Sequence, residues 1–324
     1  MRYIKLGKTD LEVSVIGFGA WAIGGWMWGG TNESESIKAI NTAIDTGINL
    51  IDTAPAYGKG LSEEIVGKAI KGKRDKLIIA TKCGLVWHLD KGELFFNYES
   101  GEKVYKFLGP KSIRYEIEQS LSRLGVDYID LYQTHWQDKT TQIEDTMETL
   151  MDLKKEGKIR SIGASNASLE ELEQYSQAGQ LDVDQEKYNF IDNEVEQEIL
   201  PWCKSNRVTM LAYSSLAKGL LTGKITTDRE FKGDDLRKDD PRFSMENRKK
   251  INSVLAAEFE PIAEKYGLSL AQLSVAALIS QGGVVALCGI RNKKQAEENA
   301  KAGDYLIEES DITKIRNVIE TLDL

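Results

Sequence analysis

Asn49-Leu50-Ile51-Asp52-Thr53-Ala54-Pro55-Ala56-Tyr57-Gly58 opens as an apolar run, closes that run on a carboxylate at Asp52, and sets a tyrosine five residues later. An apolar run this short and continuous predicts a parallel strand buried on both faces. Seven more such runs share its character. In chain order the eight are Val15–Gly19, Ile48–Thr53, Leu77–Lys82, Tyr128–His135, Ile159–Asn166, Val183–Phe190, Val208–Leu216 and Val284–Ile290. All are rich in Ile, Val and Leu, and amphipathic, helix-like segments lie between them.

Several of those segments carry helix-end signals. Thr141 with Glu144, and Ser168 with Glu171, have the spacing of capping boxes. Gly47 and Gly125 stand just beyond helical patterns, where a left-handed residue is wanted. Strands alternating with helices predict a parallel sheet with right-handed crossovers, and eight repeats point to closure. The expectation is an α/β fold, a (β/α)₈ TIM barrel forming one domain over residues 1–324. Tyr3–Leu6 and Leu11–Val13, around Gly7-Lys8-Thr9-Asp10, predict a hairpin plugging the barrel bottom. Two connections are long, Gly84–Gly109 after the third strand and Lys218–Lys250 after the seventh, and long loops at that end of a barrel tend to be functional.

Bulk properties exclude more than they assign. Of 324 residues, 41% are hydrophobic, and the formal charge of −9 argues against sequence-independent binding of nucleic acid. Cys83, Cys203 and Cys288 are odd in number and far apart, and neither His88 nor His135 has cysteine partners at zinc-ligand spacing. That usage fits a reducing cytoplasm with no metal. The N-terminal residues lack a signal-peptide pattern and no run of about 18 apolar residues occurs, so a soluble cytoplasmic protein away from membranes is expected.

Polar residues fall where a barrel builds its site. Asp52 ends the second run, Lys82 the third, His135 the fourth and Asn166 the fifth, while Gln185 lies in the sixth. Together with Tyr57 they contain what carbonyl reduction requires. A tyrosine with a pKa near ~10 relays protons poorly at neutral pH unless a cation lowers that value. Lys82 would supply the cation, Asp52 would keep it protonated and aimed, and His135 would orient the substrate oxygen. Lys82 at a barrel strand end is also where a Schiff-base aldolase keeps its nucleophile.

These residues, in Ile-Asp-Thr-Ala-Pro-Ala-Tyr-Gly, Ala-Thr-Lys and Tyr-Gln-Thr-His-Trp, resemble the catalytic tetrad of the aldo-keto reductases. The likeness runs on through Gly-Ala-Ser-Asn (163–166), Gln185-x-x-Tyr188-Asn189, Leu-Ala-Tyr-Ser-Ser-Leu (211–216) and Gly-Leu-Leu-Thr-Gly-Lys (219–224) to Gly289-x-Arg291-x-x-x-Gln295-x-x-Glu298-Asn299. Trp-Ala-Ile-Gly-Gly-x-x-Trp-Gly-Gly (21–30) looks most like a bacterial NADPH-dependent branch related to general-stress and inositol-utilisation reductases. Gln137 departs from the pattern, standing where a proline is common.

The resemblance implies reduction of small aldehydes, ketoaldehydes or sugars with NADPH/NADP⁺, and the same residues would serve a sugar or polyol dehydrogenase or a slow NADPH-binding regulator. By resemblance, Ser165, Asn166 and Gln185 hold the nicotinamide carboxamide, Tyr213 stacks on the ring, and Ser214, Leu216, Gly219 and Lys224 line the pyrophosphate. Trp21 and Gly289 fall among the cofactor contacts, as do Gln295, Glu298 and Asn299 at the adenosine end. Arg291 precedes the helical run Lys293–Ala302, and a guanidinium beside a helix N-terminus suits a 2′-phosphate. Arg237 is placed to close over the adenine. Trp21, Trp26, Trp28, Trp87 and Trp136 are candidates for an aromatic substrate wall, and Trp202 belongs to a helix. Gly17-Phe18-Gly19-Ala20-Trp21-Ala22 matches a dinucleotide fingerprint only formally, since the next helix starts near Glu33. Cys83 reads as a buried inert thiol and His88 as a rim residue.

Overall fold

The computed structural model describes residues 1–98 and 101–322. Eight parallel strands, Ile16–Gly19, Leu50–Asp52, Ile78–Cys83, Ile129–Thr134, Ile159–Ser165, Val183–Lys187, Thr209–Tyr213 and Val284–Gly289, close into a barrel in chain order. They agree with the eight apolar runs to within three residues at either end. The sixth strand stops early because Asn189 Oδ1 accepts from the backbone of Ile191 and Asp192 and folds that stretch into a turn. The seventh stops at Tyr213 because Ser214 and Ala217 take positive φ.

Alternation along the strands separates two layers. Leu50, Ile78, Ala80, Leu131, Val183, Leu211, Val285 and Leu287 fill the barrel interior. Phe18, Ile51, Ile79, Tyr132, Ile162 and Met210 point outward and pack beneath the helices. Each Val, Leu, Ile, Met or Phe side chain among them contributes about 1.5–3 kcal/mol by leaving water. The hairpin is present as Tyr3–Lys5 paired with Glu12–Ser14. Its Leu6, Leu11 and Val13 join the interior cluster, so it plugs the barrel as expected.

Helices follow each strand: Glu33–Asp45, Leu61–Ile70, Pro110–Leu124, Ile143–Lys155, Leu169–Ala178, Ile199–Asn206, Leu270–Ile279 and Lys293–Ala302. Ser168 and Glu171 make the expected reciprocal cap. Thr141 does not, because Asp138 captures its hydroxyl at 2.7 Å and the helix begins two residues later without a side-chain cap. Gly47 and Gly125 are left-handed, with φ of +93° and +64°. No described helix is long and apolar enough to cross a membrane.

Both long connections are more ordered than the sequence indicates. Residues after the third strand form a three-stranded antiparallel sheet, with Lys103–Lys106 between Leu85–Val86 and Glu93–Asn97. The connection after the seventh strand ends sooner than expected, since a helix already spans Met245–Val254, capped by Ser244.

Gly7 joins the plug to the barrel wall: its φ is +56°, and a Cβ there would lie 2.3 Å from the Asp182 carbonyl oxygen. Gly7→Ala is expected to lower stability by about 2–4 kcal/mol in urea unfolding. Asp52, Lys82 and His135 stand at the C-terminal ends of their strands, at the opposite end of the barrel, so activity per folded molecule should stay at the wild-type value.

Candidate active site

The barrel sets four polar side chains around one point because their backbones leave neighbouring strands at the same end. Asp52 is the last residue of the second strand, Lys82 is next to last in the third, and His135 directly follows the fourth. Tyr57 sits in the turn after Asp52. The first loop fixes that turn: a Cβ on Gly24 would meet the Tyr57 carbonyl carbon at 2.7 Å, and one on Gly58 would meet the Gly24 oxygen at 2.2 Å. Lys82 Nζ donates to Asp52 Oδ2 at 2.7 Å, to the Thr53 carbonyl at 3.0 Å and to the Tyr57 hydroxyl at 3.2 Å. The His135 imidazole stands edge-on to Tyr57, with centroids 5.6 Å apart.

Burial and charge compete here. Burial pulls the Lys82 pKa down, yet Asp52 and Tyr57 hold it above the ordinary lysine value. For Tyr57 burial wins. It raises the phenol pKa above 10.0, against the lowering exerted by Lys82, and Asp52 adds to the rise. The expectation that Lys82 brings Tyr57 below its ordinary value is therefore corrected, because a sequence carries no measure of desolvation. Burial, followed by the nearby Lys82 charge, takes His135 well below the usual imidazole value.

These groups open into a cavity of about 770 Å³, the size of a small-molecule site. Of the residues expected at the site, all line it except Lys82, which lies under its floor, and Trp87. Trp87 instead packs against the cluster of Ala56, Leu85 and Val104, which Phe95, Phe96 and Trp136 also join. That sheet contributes what the sequence reading missed. Phe95, Phe96 and Asn97 face the cavity, with Phe96 stacked on Trp26 at 5.2 Å and Phe95 against Trp136 at 5.2 Å. The signal was present in Glu93-Leu-Phe-Phe-Asn97, a strand-like aromatic run.

Toward the other end, the Tyr213 hydroxyl donates to Asn166 Oδ1 at 2.7 Å, which fixes the ring as a wall. Asn166 also donates to the His135 carbonyl and to Ser165 Oγ, while Gln185 Nε2 donates to Asp52. Lys224 pairs with Glu298 at 2.7 Å and Arg237 with Asp235 at 2.6 Å. The Arg237 guanidinium lies 5.2 Å from the Trp28 ring. Arg291 donates to the carbonyls of Trp28 and Gly30, and its backbone N–H donates to Gln295. Asp234, unremarked in the sequence, accepts from the N–H groups of Met27 and Gly29. Gln137, in the place of the usual proline, bonds Thr134, the Ser165 carbonyl and Tyr175, joining the fourth and fifth strands. Cys83 is buried, and burial raises its thiol pKa well above the ordinary value. The His88 ring lies tilted against Tyr115, with centroids 4.4 Å apart.

The sequence model of the aldo/keto reductase family matches residues 15–320. The chain belongs to the aldo/keto reductase family. It is 43% identical to an aldo-keto reductase of Bacillus subtilis, YhdN, over 99% of this chain and 94% of the relative. It is 41% identical to the NADH-specific methylglyoxal reductase of Escherichia coli over the full length of both. The glycerol dehydrogenase of Gluconobacter oxydans superposes with a TM-score of 0.88 at 38% identity, covering 98% of this chain and 94% of that one. As a family member, the protein is an oxidoreductase.

A lowered imidazole pKa has a measurable sign. His135 should remain neutral from pH 8 down through 6.5, and a carbon-bound proton resonance of His135, told from His88 by substitution of the latter, should show no midpoint in that range. Its folded-state pKa lies below its unfolded value. Its contribution to stability is therefore complete above the unfolded value and is lost as pH falls toward the folded one.

Proposed function

We propose that this aldo/keto reductase reduces small aldehydes, ketoaldehydes or sugar carbonyls with NADPH, using Tyr57 as the proton donor. The observation that carries this reading is the continuous chain Asp52–Lys82–Tyr57, ending on a hydroxyl that faces the cavity beside His135. When bound, the dihydronicotinamide supplies the hydride. Tyr57 gives its proton to the carbonyl oxygen, and Lys82, already charged, stabilises the phenolate left behind. Neutral His135 donates an N–H to the same oxygen, a preorganised contact worth on the order of 10²-fold in rate. Lys82 spends its donors on three acceptors and keeps its charge, which disfavours a Schiff-base role requiring a free amine.

The residues fit a dinucleotide. Gly289 is bare at the tip of the eighth strand, with open space where a Cβ would be, and Tyr213 offers an anchored aromatic face. Ser165, Asn166 and Gln185 border the nicotinamide end, Ser214, Leu216, Gly219 and Lys224 the pyrophosphate, and Arg237, Gln295, Glu298 and Asn299 the adenosine. Trp21, Trp26, Trp136, Phe95 and Phe96 give the substrate end an aromatic wall. The Escherichia coli relative is named for methylglyoxal and the Gluconobacter oxydans structure for glycerol. Those names support small oxygenated substrates and, in the reverse direction, polyols.

Tyr57→Phe should lose nearly all carbonyl reduction while NADPH affinity, measured by fluorescence titration, holds. Retention of more than a few per cent of kcat would remove Tyr57 from the role of acid. Lys82→Met should be nearly as inactive at neutral pH.

Cofactor choice rests on Arg291. The guanidinium has five N–H donors, of which two are engaged with the Trp28 and Gly30 carbonyls, so three remain for a 2′-phosphate beside a capped helix. Arg291→Ala should weaken NADPH binding by about 1.5–3 kcal/mol, the scale of a charge-assisted hydrogen bond, and leave NADH nearly unchanged. Wild-type protein that turns over both cofactors equally well, or a variant that loses both alike, would return the preference to the NADH side represented by the Escherichia coli relative.

A further inference from the structure

The two oxygens of Asp52 are held from opposite sides. Oδ2 accepts from Lys82, while Oδ1 accepts from Gln185 Nε2 at 2.9 Å and from Gln133 Nε2 at 3.1 Å. Gln185 Nε2 also lies 3.2 Å from Gln133 Oε1, so the two amides and the carboxylate form one network. Gln133 is fully buried in the fourth strand and does not line the cavity. In the strand register it stands between Lys82 on one side and Gly163 on the other. Gly163 is what admits it, since a Cβ there would come within 2.8 Å of Gln133 Cγ. A buried amide is costly to desolvate unless its groups are bonded, whereas an apolar side chain of equal length would fill the same space without that cost. The position therefore accommodates a hydrogen-bonding group rather than simple packing.

We infer that Gln133 is a positioning residue for proton transfer: with Gln185 it fixes Asp52 so that Oδ2 meets Lys82, and it draws part of the carboxylate charge away from Tyr57. The inference rests on the reading of Tyr57 as the proton donor. Four titratable groups face Tyr57: Asp52 from the second strand, Lys82 from the third, His135 after the fourth and Tyr213 from the seventh. Lys82 pulls the phenol toward ionisation and Asp52 opposes it. Removing the Gln133 donor leaves Oδ1 with a single partner and more of its charge unbalanced, so Tyr57 holds its proton more tightly.

The test uses Gln133→Met, which keeps chain length and apolar volume but has no amide. Tyr57 is followed by the carbon resonance of [¹³Cζ]tyrosine, assigned by its loss in Tyr57→Phe. The expected result is an upward move of the Tyr57 midpoint by roughly 0.5–1 pH unit, as for the loss of one hydrogen bond to a nearby charge. The alkaline limb of kcat/KM for reduction should move with it, kcat should fall several-fold, and KM for NADPH should stay put. Gly163→Ala retains every amide but displaces Gln133, and should give a smaller shift of the same sign. A folded Gln133→Met protein with an unmoved midpoint and an unmoved limb overturns the inference. An active Tyr57→Phe enzyme would instead overturn the acid assignment, and the resonance would still report whether Gln133 acts on Tyr57.

Discussion

Lys82 is fully buried, and an ammonium group taken out of water at that depth keeps its charge only if the surroundings restore what hydration supplied. Here three acceptors do so: the Asp52 carboxylate, the Thr53 carbonyl and the Tyr57 hydroxyl. Losing either partner of a buried pair costs about 3–5 kcal/mol, because the survivor is left uncompensated. Such a pair needs a rigid frame, and the barrel supplies one. Asp52 and Lys82 leave adjacent parallel strands whose register pairs Asp52 with Ala80, two residues before Lys82. The pair then fixes the tyrosine, since Tyr57 has Lys82 on its hydroxyl and the glycines of the first loop against its backbone.

The same buried charge orders the chemistry around it. Lys82 helps to depress His135 and opposes the rise that burial imposes on Tyr57. Burial, seconded by this cation, keeps the imidazole neutral, the state that the proposed hydrogen bond to a carbonyl requires. Burial also keeps the phenol protonated against the pull of Lys82, as the proposed acid requires at neutral pH. Burial is the larger influence on both groups and Lys82 the adjustment.

Farther along the cavity, the first loop is held from two sides. Asp234 binds the backbone of Met27 and Gly29, and Arg291 binds the carbonyls of Trp28 and Gly30. Trp26 meanwhile reaches the opposite rim and stacks on Phe96. Residues from the loops after the first, third, seventh and eighth strands therefore share one enclosure, which is how a barrel of ordinary strands acquires a specific interior.

Much of this was legible in the sequence because it is local. An apolar run buried on both faces identifies a parallel strand wherever it lies, so eight runs gave the barrel. A polar residue ending a strand identifies the active end, so Asp52, Lys82, His135 and Asn166 stood out without coordinates. Tertiary structure decided what depends on distant partners. Thr141 lost its cap to Asp138, and of one shared apolar cluster Phe95 and Phe96 line the cavity while Trp87 does not. The direction of the Tyr57 shift followed from burial, and the hold of Gln133 on Asp52 from the register of strands 81 residues apart in their contact. Periodicity and residue type are properties of a short segment, whereas desolvation and cross-strand hydrogen bonds exist only once the whole barrel has closed.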